Sequence, residues 1–224
     1  MTFSIAARLP GGSHFGIAIC SSSPAVAARC AHARAGIGAV ATQNITDPSL
    51  GPQVLGRMAA GSDPARALDA TLSGTPFAAY RQLLVVGSNG APQLHSGARA
   101  LGIVASAIGE HAVAAGNLLE NAGVPAAMLR GFEATSGSLD ERLMAALRCG
   151  LAQGGEAGPV HSAGLLIVRD QPWPLVDLRV DWSETDPVSA LADVWRIYSP
   201  QMEDYVQRAV NPAAAPGFGV PGDP

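Results

Sequence analysis

Apolar positions along the chain fall first into short runs bounded by turn residues, then into helix-spaced stripes, then into runs again. Thr2 to Arg8 partly alternates, Pro10-Gly11-Gly12 turns the chain, and Phe15 to Cys20 is apolar, which reads as a strand pair. Ser21 to Ala35 fits neither period cleanly and stays open between helix and strand. Gly36 to Gln43 reads as a third strand. Asp47-Pro48 and Asp63-Pro64 each set an N-cap carboxylate before a proline, which predicts two helices with stops at Gly61 and Gly74. Strands return at Arg81 to Val86 and Ala91 to Ser96 around the hairpin signal Asn89-Gly90. Two more follow at Ile103 to Ile108 and His111 to Ala115, ending at Gly116-Asn117.

A second helix pair is predicted over Pro125 to Thr135 and Leu139 to Arg148, the latter opened by the capping box Ser138…Glu141 and ended at Gly150. Strands at Ala163 to Val168 and Leu175 to Val180 lead to a capped start at Asp186-Pro187. Val188, Leu191, Trp195 and Tyr198 then form one apolar helix face, and Ser199-Pro200 restarts a short helix. Blocks of strands alternating with helix pairs do not suit a doubly wound sheet, where each strand takes one helix. They suit an α+β four-layer sandwich of mainly antiparallel sheets with helix pairs outside. The expected layout is one domain over 1–210 and a Pro/Gly/Ala-rich tail over 211–224.

Composition narrows the function. Hydrophobic residues make up 48% of the 224 and charged residues 14%, a low share that points to a homo-oligomer with part of its surface covered. A net charge of −4 with no basic cluster excludes nucleic acid as a partner, and no apolar run reaches the ~20 residues of a membrane span. Arg8, Gly11-Gly12 and His14 interrupt any signal-peptide core, and three scattered cysteines (Cys20, Cys30, Cys149) carry no metal or redox motif. A cytoplasmic location is expected. All fourteen basic residues are arginine. Without lysine there is no P-loop lysine, Schiff base, pyridoxal phosphate attachment or Ser–Lys dyad, so no cofactor is expected. No metal site is expected either, because the five histidines lack ligand spacing. Gly-x-Ser-x-Gly is absent, and Gly36 to Ala41 imitates a dinucleotide fingerprint inside a strand with no helix opening from it.

What remains is the amino end. Methionine is normally removed before a side chain as small as Thr2, which would then carry a hydroxyl and a free α-amine on one residue. The amine's reference pKa of about 7.7–8.0 lets it take the hydroxyl proton near neutrality. Thr2 also leads straight into a strand that would hold it rigidly.

The wording of the chain resembles the bacterial family called domain of unknown function 1028, from Thr2 to about Trp195. The matching stretches include Thr2 to Arg8, Ala33 to Gln43, Tyr80 to Leu83, Ala115 to Leu119, Glu141 to Leu147, Ser162 to Val168 and Leu178 to Asp181. The resemblance implies an αββα sandwich of the N-terminal-nucleophile hydrolase type, in agreement with the element order, and it names no substrate. In that fold Gly116 and Asn117 resemble the turn that offers N–H groups to an oxyanion. Ser21, Thr42 and Gln43 fall at strand ends near the expected cleft. Arg34 is a candidate positive charge near Thr2, and Arg81 and Arg179, both on strands, either anchor a substrate carboxylate or pair internally with a residue such as Asp177 or Asp181.

Active relatives of this type place a lysine and an aspartate beside the threonine. Here there is no lysine and no acid before Asp47; Asp181 and Glu156 are the candidate carboxylates. The leading expectation is a hydrolase of small-molecule amides or peptide-like substrates, with Thr2 as nucleophile and Gly116 and Asn117 at the oxyanion. The alternative is a non-catalytic ligand-binding or assembly protein on the same scaffold. A third reading, a cysteine hydrolase using Cys20 or Cys30, lacks a positioned partner for either thiol.

Overall fold

The computed structural model describes residues 2–220. Six strands form one antiparallel sheet: β1 (Thr2–Arg8), β2 (Phe15–Ser21), β7 (Ala105–Ile108), β8 (Ala112–Asn117), β9 (Ser162–Val168) and β10 (Val176–Val180), in the order β10-β9-β2-β1-β8-β7. The other four, β3 (Ala31–Arg34), β4 (Gly38–Asn44), β5 (Arg81–Gly87) and β6 (Gln93–Ser96), form the second sheet in sequence order. The ambiguous stretch thus divides into the short helix α1 (Val26–Cys30) and edge strand β3. Helices α2 (Leu50–Ala59) and α3 (Pro64–Ser73) cover the four-stranded sheet. Helices α4 (Val124–Ala134), α5 (Leu139–Ala152) and α6 (Pro187–Tyr198) cover the six-stranded one, and α7 (Met202–Val210) follows α6. The result is the αββα layering expected from the element order.

Period-two alternation assigns each strand residue to a layer. On β1, Phe3, Ile5 and Ala7 face α4 and α5, while Ala6 meets Phe15, Ile17, Ile19, Leu84 and Val86 between the sheets. On β4 and β5, Val40, Leu83 and Val85 face α2 and α3 instead. Each central strand is therefore buried on both faces, which is why these runs read as continuously apolar. Thr2 and Ser4 share the inter-sheet face of Ala6 and begin β1, an interior strand of the larger sheet flanked by β2 and β8.

Caps behave mostly as the residue types dictate. The Asp63 carboxylate accepts from Arg66 N, Asp186 accepts from Val188 N and Ser189 N, and Ser138 N donates to Glu141. Three expectations need correction. Asp47 folds an Asx turn onto Ser49 N at 3.0 Å, so the helix begins at Leu50 beyond it. Ile103 and Val104 lie outside β7, which starts at Ala105. Gly150 does not end α5. It sits inside the last turn, two residues before the helix ends at Ala152, where an added Cβ would lie 2.6 Å from Met128 Cγ and 3.3 Å from the Phe3 ring, so the missing side chain lets α4, α5 and β1 approach. Past Val210 the chain folds back on α7, with Arg208 donating to Pro216 O and Gly217 O.

Candidate active site

Between the sheets, under the start of β1, lies a patch of buried polar side chains: Thr2, Ser4, Ser21, Gln43, Gln82 and Asn117. Strand register assembles it. Thr2 is opposite Asn117 on β8, and on the other side its hydroxyl lies 3.5 Å from Ser21 Oγ on β2. Gln43 and Gln82 face each other from β4 and β5 and project toward β1 and β8.

Two backbone carbonyls fix the orientation of the glutamine amides here. Ala115 O accepts from Gln43 Nε2 (3.3 Å) and Gly116 O accepts from Gln82 Nε2 (3.2 Å), so both amide nitrogens face β8. Gln82 Oε1 is then left to accept from Gln43 Nε2 (2.7 Å) and Asn117 Nδ2 (3.1 Å), and Ser4 Oγ donates to Gln43 Oε1 (2.7 Å). Once these bonds are made, Asn117 Oδ1 remains: a fully buried acceptor with no partner. Leaving such an atom unpaired costs about 1–3 kcal/mol, so the site is short of one donor.

A second unpaired acceptor lies close by. Glu156 is buried (4% exposed), its Oε1 accepts from Ser22 N at 3.0 Å, and its Oε2 has no hydrogen-bond partner. Burial pushes its carboxyl above the ordinary carboxylate range, against the opposing pull of the Ser22 hydrogen bonds. The turn carrying Ser22 is pinned by Ser162, whose hydroxyl accepts from Val26 N and donates to Ser23 O.

The structure therefore brings Thr2, Asn117, Ser21 and Gln43 into one layer, with Glu156 as the nearby carboxylate. Asp181 is exposed at the end of β10, where its backbone oxygen accepts from Ala25 N. Other candidates lie elsewhere. Thr42 neighbours Gln43 in sequence, so alternation turns it to the opposite face, where its hydroxyl donates to Asp47 O. Arg34 pairs with Gly38 at the far end of β4, roughly 17 Å along the strand from Gln43. It lines a groove of about 510 Å³ with His32, Leu166 and the bidentate pair Arg179–Asp177. Arg81 shares the outer face of Leu83 and donates to Ile45 O, and among the described residues no carboxylate lies within ion-pair distance of it. Gly116 is bracketed by Phe3 and Ala105, which commits its backbone to the sheet; an added Cβ would meet Leu119 at 2.5 Å. Cys20 and Cys30 are buried, and burial pushes both thiols up, away from the reactive thiolate. Met1 lies outside the described residues.

Sequence reasoning missed Ser4 and Gln82. Both are polar residues at inward positions of largely apolar strands, and that break in the pattern was the available signal. Among the described residues no group of three or more His, Cys, Asp or Glu is placed to hold a metal, and no helix is long and apolar enough to cross a membrane.

Comparison with known proteins follows the same lines. The sequence profile of a family of unknown function, DUF1028, matches residues 2–191. A crystal structure of a DUF1028 protein from Silicibacter pomeroyi superposes with a TM-score of 0.85 at 27% identity, over 92% of this chain and 90% of that one. Thiobacillus denitrificans BPH in complex with epoxomicin gives a TM-score of 0.40 at 14% identity, over 76% of this chain and 100% of that one. Anbu, an ancestral β-subunit from Yersinia bercovieri, gives 0.42 at 13% identity, over 92% and 97%. At such scores the last two carry no weight for function. No protein of curated function matches the chain.

Proposed function

The chain belongs to the family of unknown function DUF1028, and from that premise we propose that it is a small-molecule amide hydrolase whose nucleophile is Thr2, uncovered by removal of Met1. The observation that carries the reading is the place of Thr2. It opens an interior strand of the larger sheet, faces the inter-sheet layer, and stands opposite Asn117, whose Oδ1 is an unpaired buried acceptor in a site short of one N–H donor. A free α-amine on Thr2 supplies donors at that strand end, and the same amine can act as base.

In the proposed reaction Thr2 Oγ attacks the substrate carbonyl carbon while its proton passes to the Thr2 amine. The tetrahedral intermediate collapses, the ammonium returns that proton to the leaving nitrogen, and a Thr2 ester remains. Water, deprotonated by the same amine, then cleaves the ester and frees the acid. Asn117, opposite the nucleophile, steadies the oxyanion by sharing the Nδ2 now bound to Gln82. A screen of simple amides tests this: Thr2→Ser should retain turnover and Thr2→Ala abolish it. Equal turnover by Thr2→Ala would remove Thr2 from the reaction.

One observation favours the non-catalytic alternative. Among the described residues, the side chains hydrogen-bonded in the network under Thr2 are neutral amides and hydroxyls. On that reading the cleft binds ligand without turnover, and affinity would be the same with Met1 present or absent. Homo-oligomer formation belongs to either reading; exposed Ile197, Tyr205 and Val210 on α6 and α7 supply apolar surface, and a light-scattering mass of one chain would exclude it.

A further inference from the structure

The strand register continues past the end of β1. Leu119, two places beyond Asn117 on the chain of β8, bridges antiparallel to Glu156. Glu120 N donates to Gly155 O and Ala157 N donates to Leu118 O, so residues 155–157 run alongside 118–120. Because Asn117 pairs with Thr2, Glu156 stands in line with β1, two register places (about 7 Å) ahead of Thr2. From there its side chain turns toward β2 and binds Ser22 N, the residue after the Ser21 that faces Thr2. By register Glu156 thus lies beyond the amino end of β1, with Oε1 anchored on the turn after β2 and Oε2 without a hydrogen-bond partner.

Resting on the reading of Thr2 as nucleophile, we infer that Glu156 is the positioning residue for the Thr2 α-amine. Its Oε2 accepts an amine N–H and holds the amine beside the hydroxyl. When the Thr2 Oγ proton moves to the amine, the adjacent carboxylate stabilises the ammonium until its proton leaves with the departing nitrogen. An anionic neighbour supplied from behind α5 would serve a chain with no lysine and no acid before Asp47. Its orphan oxygen, anchored partner oxygen and raised carboxyl affinity for protons are those of an acid kept for a cation. The other titratable groups around the carboxylate are Cys20 on β2, His161 ahead of β9, and Asp186 at the start of α6. His161 is engaged with Ser183 O through Nδ1.

The absence of lysine makes the test direct, since the terminal amine is the one aliphatic amine in the sequence. Reductive methylation with ¹³C-formaldehyde places a single label there, mass spectrometry assigns it to Thr2 or Met1, and NMR titration gives its pKa. In Glu156→Gln the amine pKa should fall by about one unit, a tenfold loss of proton affinity, while Glu156→Asp keeps most of the shift. A label on Thr2 with equal pKa in wild type and Glu156→Gln would overturn the role of Glu156 and leave Thr2 as nucleophile standing. A label on Met1 would overturn both. Should Glu156→Gln fail to fold, the wild-type signal alone decides: it must show a second, acidic inflection as Glu156 takes up its proton, and a single inflection overturns the inference.

Discussion

Asn117 stands opposite Thr2 across the β1–β8 pair, and its carboxamide nitrogen is held 3.1 Å from Gln82 Oε1 on the facing sheet. The residue opposite the candidate nucleophile is thus fixed by a side chain from the other layer. Asn117→Ala should cost about 1–2 kcal/mol through the lost hydrogen bond and the void it leaves. It should also abolish amide turnover beyond that stability loss. Urea unfolding and the amide screen measure the two effects separately, and a stable variant with full turnover would remove Asn117 from the site.

Gln82 is the hub of the buried network, joined to Gln43, Asn117, Ser96 and Gly116 O. Gln82→Met keeps the volume and removes the acceptor shared by two amides. Two stranded donors predict a loss of roughly 2–5 kcal/mol, several times the cost of the same change at an exposed glutamine such as Gln53. Equal urea midpoints for the two variants would contradict the network.

Glycines on two helices should respond in opposite directions. At Gly150 a methyl group would strike Met128 and Phe3, so Gly150→Ala should destabilise by about 1–3 kcal/mol. At Gly56 on α2 an added Cβ meets nothing within 4 Å, so Gly56→Ala should stabilise by about 0.5–1 kcal/mol through helix propensity. Thermal melts of the pair test the packing of α5 against β1.

These residues mark what the sequence could convey. Alternating and continuous apolar runs located nearly every strand, because two-face burial leaves a local trace. Capping chemistry located α3, α5 and α6 for the same reason. Gly150 was misread as a stop because its absent side chain answers to Phe3 and Met128, which are distant in sequence. Thr42 and Gln43 were taken together although alternation separates them, and Arg34 was placed near Thr2 although β3 pairs it at the other end of β4. Glu156 was one of two candidate carboxylates. Only the Leu119–Glu156 bridge, which joins a loop to the continuation of β8, distinguishes it from Asp181.

Two half-buried histidines weigh against stability on the acid side. Burial lowers His14 and His32 below the ordinary imidazole value of 6.5, with Arg169 assisting at His14 and a backbone bond to Arg29 O opposing at His32. The unfolded chain then binds more protons than the native one just below 6.5, so stability falls as pH drops through that value toward the folded values. Urea midpoints from pH 7.5 to 5 should show this decline, and His32→Gln should reduce its slope. An unchanged slope in that variant would remove His32 as a source.

The central proposal is that Thr2 becomes a reactive amino-terminal residue once Met1 is removed. Its most direct test is the intact mass of untagged protein before and after a β-lactone probe that acylates amino-terminal threonine, with the adduct mapped by peptide sequencing. The account predicts loss of Met1 and one adduct on Thr2, absent from Thr2→Ala. Retained Met1, or a free Thr2 that takes no adduct, would contradict it and leave the scaffold as a binding protein.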